Sequence, residues 1–473
     1  GRVYITGQVQ SATGIATPGA HQVTPSGAFL AKFLPDGSRV WGTYIGIGSA
    51  NYPWHVSCTQ DGMVYLSGDT RQSSGIATAG AAQTALAGSW DWYLQQFDTM
   101  GVRQWGTYIG GSGDEFNGSS CNDGYNAYVC GWTNSNNGIG TPFAPQTTLS
   151  GPQDAALIKF YADGTKHWGT YVGGNNGEQA GGVACDKFGN VYMTGITVSD
   201  ENISTPDGHH PVRLGSIDAF LIKFYPPTGE RIWGTYFGGM NIEDAGLSRI
   251  DCDNFSNVFI VGYTESPMGI PSDTGAWQRT FGGGWNDGYL AKFNPAGQQI
   301  WSTLIGGDAF DEPRSVACYG DAAYITGRTS SSDSIATPGG FQPVRGVAGS
   351  AFDYMGFIEK FSDPFVSPEP NDTSTPPPVI VRNAQAAAPT VLNLMPNPNN
   401  GSFFLQGVVG SRTGIAQYTI TDAAGRTIVT GKTATHDGKV NESISTGDVP
   451  AGMYFVRFVS PEGLGKVIPF RRQ

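Results

Sequence analysis

The chain of 473 residues is longer than one ordinary domain, and it carries a net charge of −12 with only 14% charged residues, 69 glycines and 12% aromatics. That profile favours short strands and tight turns over long charge-laced helices, and the length implies two or three units. Residues 1–361 hold 18 basic against 31 acidic side chains, a balance that argues against nucleic acid, and no apolar run is long enough to span a membrane as a helix.

The chain opens on "GRVYITG", which reads as mid-strand rather than as a leader or a natural start, so upstream sequence is expected. The strand phrase "VYITG" (3–7) returns as "VYLSG" (64–68), "YVCG" (128–131), "VYMTG" (191–195), "VFIVG" (258–262) and "AYITG" (323–327). A loop of about twenty residues follows, with the core "GIATPGAHQ" (14–22) echoed at 75–83, 139–146, 203–210 and 335–342. Next stands "FLAKF" (29–33), recurring as "YLQQF" (93–97), "ALIKF" (156–160), "FLIKF" (220–224), "YLAKF" (289–293) and "FIEKF" (357–361). A hairpin-length turn leads to "WGTYIGI" (41–47), repeated as "WGTYIGG" (105–111), "WGTYVGG" (168–174), "WGTYFGG" (233–239) and "WSTLIGG" (301–307), with Trp spacings of 64, 63, 65 and 68. A fourth run, such as "GGVACD" (181–186), leads into the next copy.

Each run is β-branched and aromatic, of strand length, and bounded by Gly, Asn, Asp or Pro. Four strands in a unit of about 64 residues make a propeller blade, since solenoid repeats are shorter and often helical. The predicted fold class is therefore all-β: a β-propeller of four-stranded antiparallel blades over 1–361, with six blades, or seven as the alternative. The long loops load one face, which is expected to carry function. Trp and Tyr are expected to cover the outer flank, and the Gly pair to permit a sharp turn inward. The chain supplies six second and six third strands but five inner and five outer ones. An upstream "WGTY" strand is expected to complete the last blade and close the ring, because an open edge invites aggregation. These units resemble the SBBP-type β-propeller repeat of secreted bacterial proteins, which implies fold more than activity.

Residues 362–388 are Pro-rich and read as a semi-rigid linker. Residues 389–473 alternate short strands with turns, predicting a small Ig-like β-sandwich. This tail resembles the type A C-terminal sorting domain of the type IX secretion system. The resemblance rests on Pro396, Asn397, Pro398 and Gly401, on Asp422, Gly425 and Arg426, on "ISTGDVPAGMYFVRF" (444–458) with Gly452 and Tyr454, and on the basic end Lys466, Arg471 and Arg472. It implies that residues 389–473 engage the translocon and shuttle proteins of that system. It also implies export across the outer membrane of a Bacteroidota bacterium, with release or anchoring at the cell surface.

Chemistry-bearing patterns are sparse. Six histidines show no zinc spacing, no G-x-S-x-G elbow occurs, and His209–His210 read as solvated loop residues. The turns "PDGSRVW" and "ADGTKHW" faintly resemble sialidase Asp-boxes, but their Asp-Gly adjacency breaks that spacing. Glu115, Glu178, Glu243 and Asp311 recur past the Gly pair and could ring the channel as a Ca²⁺ site, or else cap their own turns. Asp91, Asp154, Asp218, Asp287 and Asp353 read as turn caps. Of six Trp outside the repeat, Trp90, Trp92, Trp277 and Trp285 are the candidate glycan- or protein-binding side chains. Cys58, Cys121, Cys185, Cys252 and Cys318 share one repeat position. Roughly 10 Å between sheets keeps them unpaired, and Cys130 joins them as a free thiol. The expected function is that of a secreted or surface cargo whose propeller binds or scaffolds without catalysis and needs no cofactor. A polysaccharide-acting enzyme and a passive coat or spacer subunit are the alternatives.

Overall fold

In the computed structural model the chain divides into two compact units, Gly1–Asp372 and Thr373–Gln473. The structure describes residues 2–48, 50–245, 250–270, 275–320, 322–337, 339–345 and 354–362 of the first unit. In the second it describes 391–395, 402–408, 414–422, 426–435, 439–446, 449–459 and 465–472. The linker predicted over 362–388 lies, apart from Ser362, outside the described residues.

The first unit is all-β and propeller-like: six antiparallel sheets in chain order, with no helix among the described residues. Sheet four shows the pattern, running Glu178–Cys185, Val191–Thr197, Asp218–Tyr225 and Glu230–Phe237 as neighbours in sequence order. Sheets two and three repeat it, and sheet five does so with its first strand split into Glu243–Asp244 and Ile250–Cys252. Among the described residues sheet one has only Val3–Gln8, Ala28–Phe33 and Arg39–Ile45, and sheet six only Asp311–Tyr319, Ala322–Thr329 and Met355–Ser362. First and last sheets thus lack the strands that the phrase count leaves out.

Five apolar clusters hold the unit together, each between consecutive sheets. One joins Tyr128, Leu157 and Trp168 of sheet three to Val191, Met193 and Phe220 of sheet four. Another joins Tyr192, Leu221 and Trp233 of sheet four to Ile260, Tyr289 and Phe293 of sheet five. Among the described residues no cluster joins sheet six to sheet one. Val3, Ile5 and Ile358, whose counterparts Val191, Met193 and Leu221 are fully buried, are exposed there.

The repeated phrase is explained letter by letter. A bulge after the third-strand Lys, at Lys159/Phe160 and Lys223/Phe224, swings the Trp toward the next sheet. There Trp168 Nε1 donates to the Pro226 carbonyl at 2.9 Å, as Trp41 does to Thr99 at 3.1 Å and Trp233 to Pro295 at 3.1 Å. Lys159 Nζ reaches the same Pro226 oxygen at 3.2 Å. The indole also lies on the turn glycine of the next sheet: Gly229 has φ +77°, and a Cβ there would meet the Trp168 ring at 2.9 Å. The Gly of the phrase admits a carbonyl of the long loop, because a Cβ at Gly169 would run into Ile139 O. In the variant "WSTL" copy, Ser302 occupies that place and donates its hydroxyl to Ile270 O. Thr170 Oγ1 accepts the Gln146 N–H at 3.2 Å, and Tyr171 Oη donates to Ser135 O at 2.7 Å.

The long loops, expected to load one face, also have a structural role. They lie along the outer strand, with Thr141 N–H on Gly169 O and Tyr171 N–H on Gln146 O, and so cover an otherwise open edge. The Gly pair, expected to permit a sharp turn inward, has no positive φ at Gly173 or Gly174, and close packing is what requires glycine there. At Gly173 a Cβ would strike the Asp154 and Glu178 carboxyl groups, and at Gly174 the Glu201 carbonyl and Ser199.

In the second unit a three-stranded sheet, Val391–Met395, Ser402–Val408 and Lys439–Ser445, shares an apolar core with a four-stranded one. The latter is ordered Thr427–Thr435, Gly414–Asp422, Gly452–Val459 and Gly465–Arg472. Leu405, Val440 and Ile444 from one sheet meet Ala416, Ile420, Val456 and Phe458 from the other.

Candidate functional site

The repeated acids are occupied within their own sheets. Glu115 accepts the Gly111 N–H at 3.1 Å on one oxygen and the Thr133 hydroxyl at 2.6 Å on the other. Glu178 and Glu243 repeat this with Gly174 and Thr197, and with Gly239 and Thr264. Asp311 accepts from Gly307 N–H and the Ser331 hydroxyl. Asp91, Asp154 and Asp218 cap the turns before the third strand, Asp154 through the N–H groups of Ser150 and Gly151. Asp353 lies outside the described residues. Burial pushes Glu115 and Asp287 up to about 7 and Glu243 to about 6. The proposed Ca²⁺ ring is replaced by turn anchors, because each carboxylate turns back onto its own backbone. Among the described residues no group of three or more His, Cys, Asp or Glu side chains is placed to hold a metal ion.

The thiols are free, as expected, but not as far apart as expected. All six cysteines are unbonded, yet Cys121 Sγ and Cys185 Sγ stand 2.8 Å apart. The sheet-to-sheet spacing used to separate them holds for facing sheets; first strands of neighbouring sheets here converge at their ends.

The four candidate tryptophans separate. Trp92 is fully buried, its Nε1 donating to Phe116 O at 2.8 Å, so it leaves the ligand-binding group. It sits on a strand where the other copies have Ala155, Ala219 or Gly288, and its bulk fills the seam to sheet three. Trp277 is half-buried and packs edge-on against Phe361 of sheet six, at 6.4 Å. Trp285 is 85% exposed, isolated on its loop. His209 and His210 stack on one another at 4.6 Å, and the His210 N–H donates to Thr235, so they are packed rather than solvated.

Trp90 belongs to a group that the sequence did not mark. Trp54, Tyr52, Trp90, Phe116 and Trp132 follow one another with centroid spacings of 6.1, 5.4, 5.6 and 4.8 Å. The Arg71 guanidinium lies 5.5 Å over Trp90. Trp54 is the extra residue of a bulge between Pro53 and His55, which presents it at 38% exposure. Its Nε1 donates to Asp69 Oδ2 at 2.5 Å while Gly118 N–H serves Oδ1, and burial lifts the Asp69 carboxyl to about 7. All five rings stand where the copies disagree. The residue after the repeated acid is Tyr52, Phe116, Gln179, Asp244 or Glu312, and the one before the second-strand Thr is Asp69, Trp132, Ile196, Tyr263 or Arg328. Positions released from the repeat's structural duties are free to specialise, and that divergence among copies was the available signal. A smaller counterpart spans sheets five and six, where Tyr263 of sheet five meets Phe310 at 6.4 Å and Arg328 of sheet six covers Phe310 at 5.2 Å and Tyr354 at 4.4 Å.

In the tail, Asp422 closes the hairpin to Thr427–Thr435: its carboxylate takes the Arg426 N–H at 2.9 Å and the Arg426 Nε at 2.7 Å. Tyr454 is buried with its hydroxyl on Pro450 O at 2.7 Å, and Gly452 opens its strand opposite Arg472. Pro396, Asn397, Pro398, Gly401 and Gly425 lie outside the described residues, as does the Lys466 side chain. Residues 393–467 match the family described as secretion system C-terminal sorting domain. The tail is a type IX sorting domain. A sorting domain of this kind makes the protein a secreted cargo, exported to the cell surface or the extracellular space through the secretion machinery it engages. No helix among the described residues is long and apolar enough to cross a membrane.

No curated protein matches the chain. Solved structures similar to it include the extracellular domain of BT4673 from B. thetaiotaomicron, at 11% identity and TM-score 0.32, over 99% of this chain and 56% of that one. A protein of unknown function from Dyadobacter fermentans matches at 10% identity and TM-score 0.34, over 73% and 86%. The subtype N11 neuraminidase-like protein of A/flat-faced bat/Peru/033/2010 matches at 9% and 0.32, over 90% and 88%. Likenesses this distant carry no functional argument.

Proposed function

We propose that the protein is a type IX cargo of a Gram-negative Bacteroidota bacterium, displayed or released at the surface. Its first unit is read as a six-bladed propeller of SBBP-type repeats acting as a non-enzymatic binding module, and its tail as an Ig-like sandwich. The observation that carries the binding role is the row of five rings from Trp54 to Trp132, ending on a bulged, exposed indole. Flat aromatic faces with a polar group beside them suit the C–H faces of sugar rings, and the exposed Arg71 supplies such a group. The repeated acids Glu115, Glu178 and Glu243 are buried and hydrogen-bonded on both oxygens, which favours binding over glycoside hydrolysis, since that needs two carboxyl groups free in one pocket.

On a glycan array the full chain is expected to give discrete hits, with Trp54→Ala and Trp90→Ala each lowering affinity at least tenfold. Hits unchanged in both variants would remove the ledge from the site, and an array without hits would move the reading to a protein ligand. Residues 389–473 fused to an unrelated exported protein are expected to carry it to the surface of a type IX-competent host. Periplasmic retention of that fusion would count against the tail as an autonomous signal.

A further inference from the structure

Among the described residues sheet six ends on Met355–Ser362, the strand that every complete sheet covers with its Trp-Gly-Thr-Tyr strand, or Trp-Ser-Thr-Leu in sheet five. The described part of its long loop, up to residue 345, nonetheless keeps the usual hydrogen bonds. Gly340 N–H bonds Thr337 O as Ala144 does Thr141, and Gln342 Nε2 reaches Val344 O as Gln146 reaches Thr148. Between loop and strand lies a groove of about 670 Å³ lined by Trp277, Ser331, Ile335, Gln342, Phe357 and Glu359. On its floor Glu359 stands where Ala31, Gln95, Ile158 and Ile222 each face the Gly of the phrase. Gln95 there donates to the loop carbonyl of Ile76, whereas the buried Glu359 Oε1 has no hydrogen-bond partner.

We propose that this groove is a strand-acceptor site for an extended polypeptide of the repeat's own outer-strand pattern, basic–x–Trp–Gly–Thr–Tyr–apolar–Gly–Gly, antiparallel to Met355–Ser362. The complete sheets define the fit. The incoming Trp lies against Tyr324, which carries Lys360 at 5.7 Å as Tyr128 carries Lys159 at 5.5 Å beside Trp168. The Gly passes beneath the Ile335 carbonyl, as Gly169 passes beneath Ile139. The Thr accepts the Gln342 N–H, as Thr170 accepts that of Gln146. The Tyr donates to Ser331 O, as Tyr171 does to Ser135 O. The basic side chain takes the carbonyls of Ser334 and Ile335, as Lys166 takes those of Gly138 and Ile139. Backbone pairing supplies affinity and these pockets supply selectivity, the mode of strand addition to a sheet edge. The site is independent of the aromatic ledge.

The test titrates the full 473-residue chain into a fluorescent peptide copying residues 231–239. Saturable binding below ~100 µM is expected, with hydrogen-exchange protection confined to the segment around 354–362. A peptide with valine at the Gly234 position should bind at least tenfold more weakly, because its side chain meets the Ile335 carbonyl. Absence of saturable binding, equal binding of the valine or a scrambled peptide, or protection elsewhere would overturn the proposal. So would protection of 354–362 without peptide that grows with protein concentration, which would make a second copy the occupant.

Discussion

Truncating Trp168 to alanine is expected to lower the unfolding free energy of the repeat unit by about 3–5 kcal/mol, read by urea titration. The indole is buried between sheets three and four, and its loss opens a cavity in their shared cluster. It also removes one of two donors from the Pro226 carbonyl, leaving Lys159 Nζ to serve it alone. Gly229→Ala attacks the same seam from the other side, forcing a side chain at φ +77° into the indole. Its cost should be similar in sign, and the double variant less than additive, since both disturb one contact. An exposed aromatic such as Trp285, truncated in parallel, should change stability by less than about 0.5 kcal/mol. A Trp168 effect no larger than that would show that the phrase is not the latch between sheets.

Stability should also fall as pH rises from 6.5 to 8. Burial raises Asp69, Glu115 and Asp287 to about 7 and Glu359 to about 8. In the unfolded chain these carboxyls are already ionised across that window, so the folded state holds more protons and loses its advantage as they leave. A raised carboxyl contributes fully below its unfolded value near 4 and loses that contribution as pH climbs through the folded value. Histidines act with the opposite sign at the lower end of this window. His55, pushed down to about 4, is neutral in the folded chain at pH 6.5 while its unfolded form, near 6.5, is still half protonated, so it returns on the order of a few tenths of a kcal/mol as pH rises. His21, His167, His209 and His210, also lowered by burial, add in the same direction, so the net fall is smaller than the carboxyls alone would give. Lys166, lowered to about 8, begins to act only at the upper limit. Asp36, Asp123 and Asp163, held low by hydrogen bonds, matter below about pH 4. Three or four carboxyls together give a loss on the order of 2–4 kcal/mol, hence a thermal midpoint several degrees lower at pH 8. Glu115→Gln keeps the acceptor for Gly111 N–H and should flatten the slope by its share. A midpoint constant or rising from pH 6.5 to 8 would contradict this assignment of the buried acids.

Sequence by itself determined the all-β class, six repeated units with a seventh left as the alternative, and the strand order within each. All of these follow from short-range pattern: period-two runs punctuated by turn residues, recurring at a fixed spacing. It also exposed the missing outer and inner strands, since a phrase count needs no coordinates. What the phrase does was not legible, because every one of its letters answers to a partner far along the chain: Trp168 to Pro226, Gly169 to Ile139, Thr170 to Gln146, Tyr171 to Ser135. Trp92 and Trp90, two residues apart in one stretch, have opposite fates for the same reason. One points into the seam with sheet three and the other along the rim, a distinction set by strand pleat and neighbouring sheet. The aromatic ledge itself was assembled only in three dimensions, from two sheets, a bulge at Trp54 and an indole brought in ahead of a third strand. The cysteines teach the same lesson in reverse: a spacing of roughly 10 Å between sheets was expected to keep Cys121 and Cys185 apart, whereas their sulfurs stand 2.8 Å from one another.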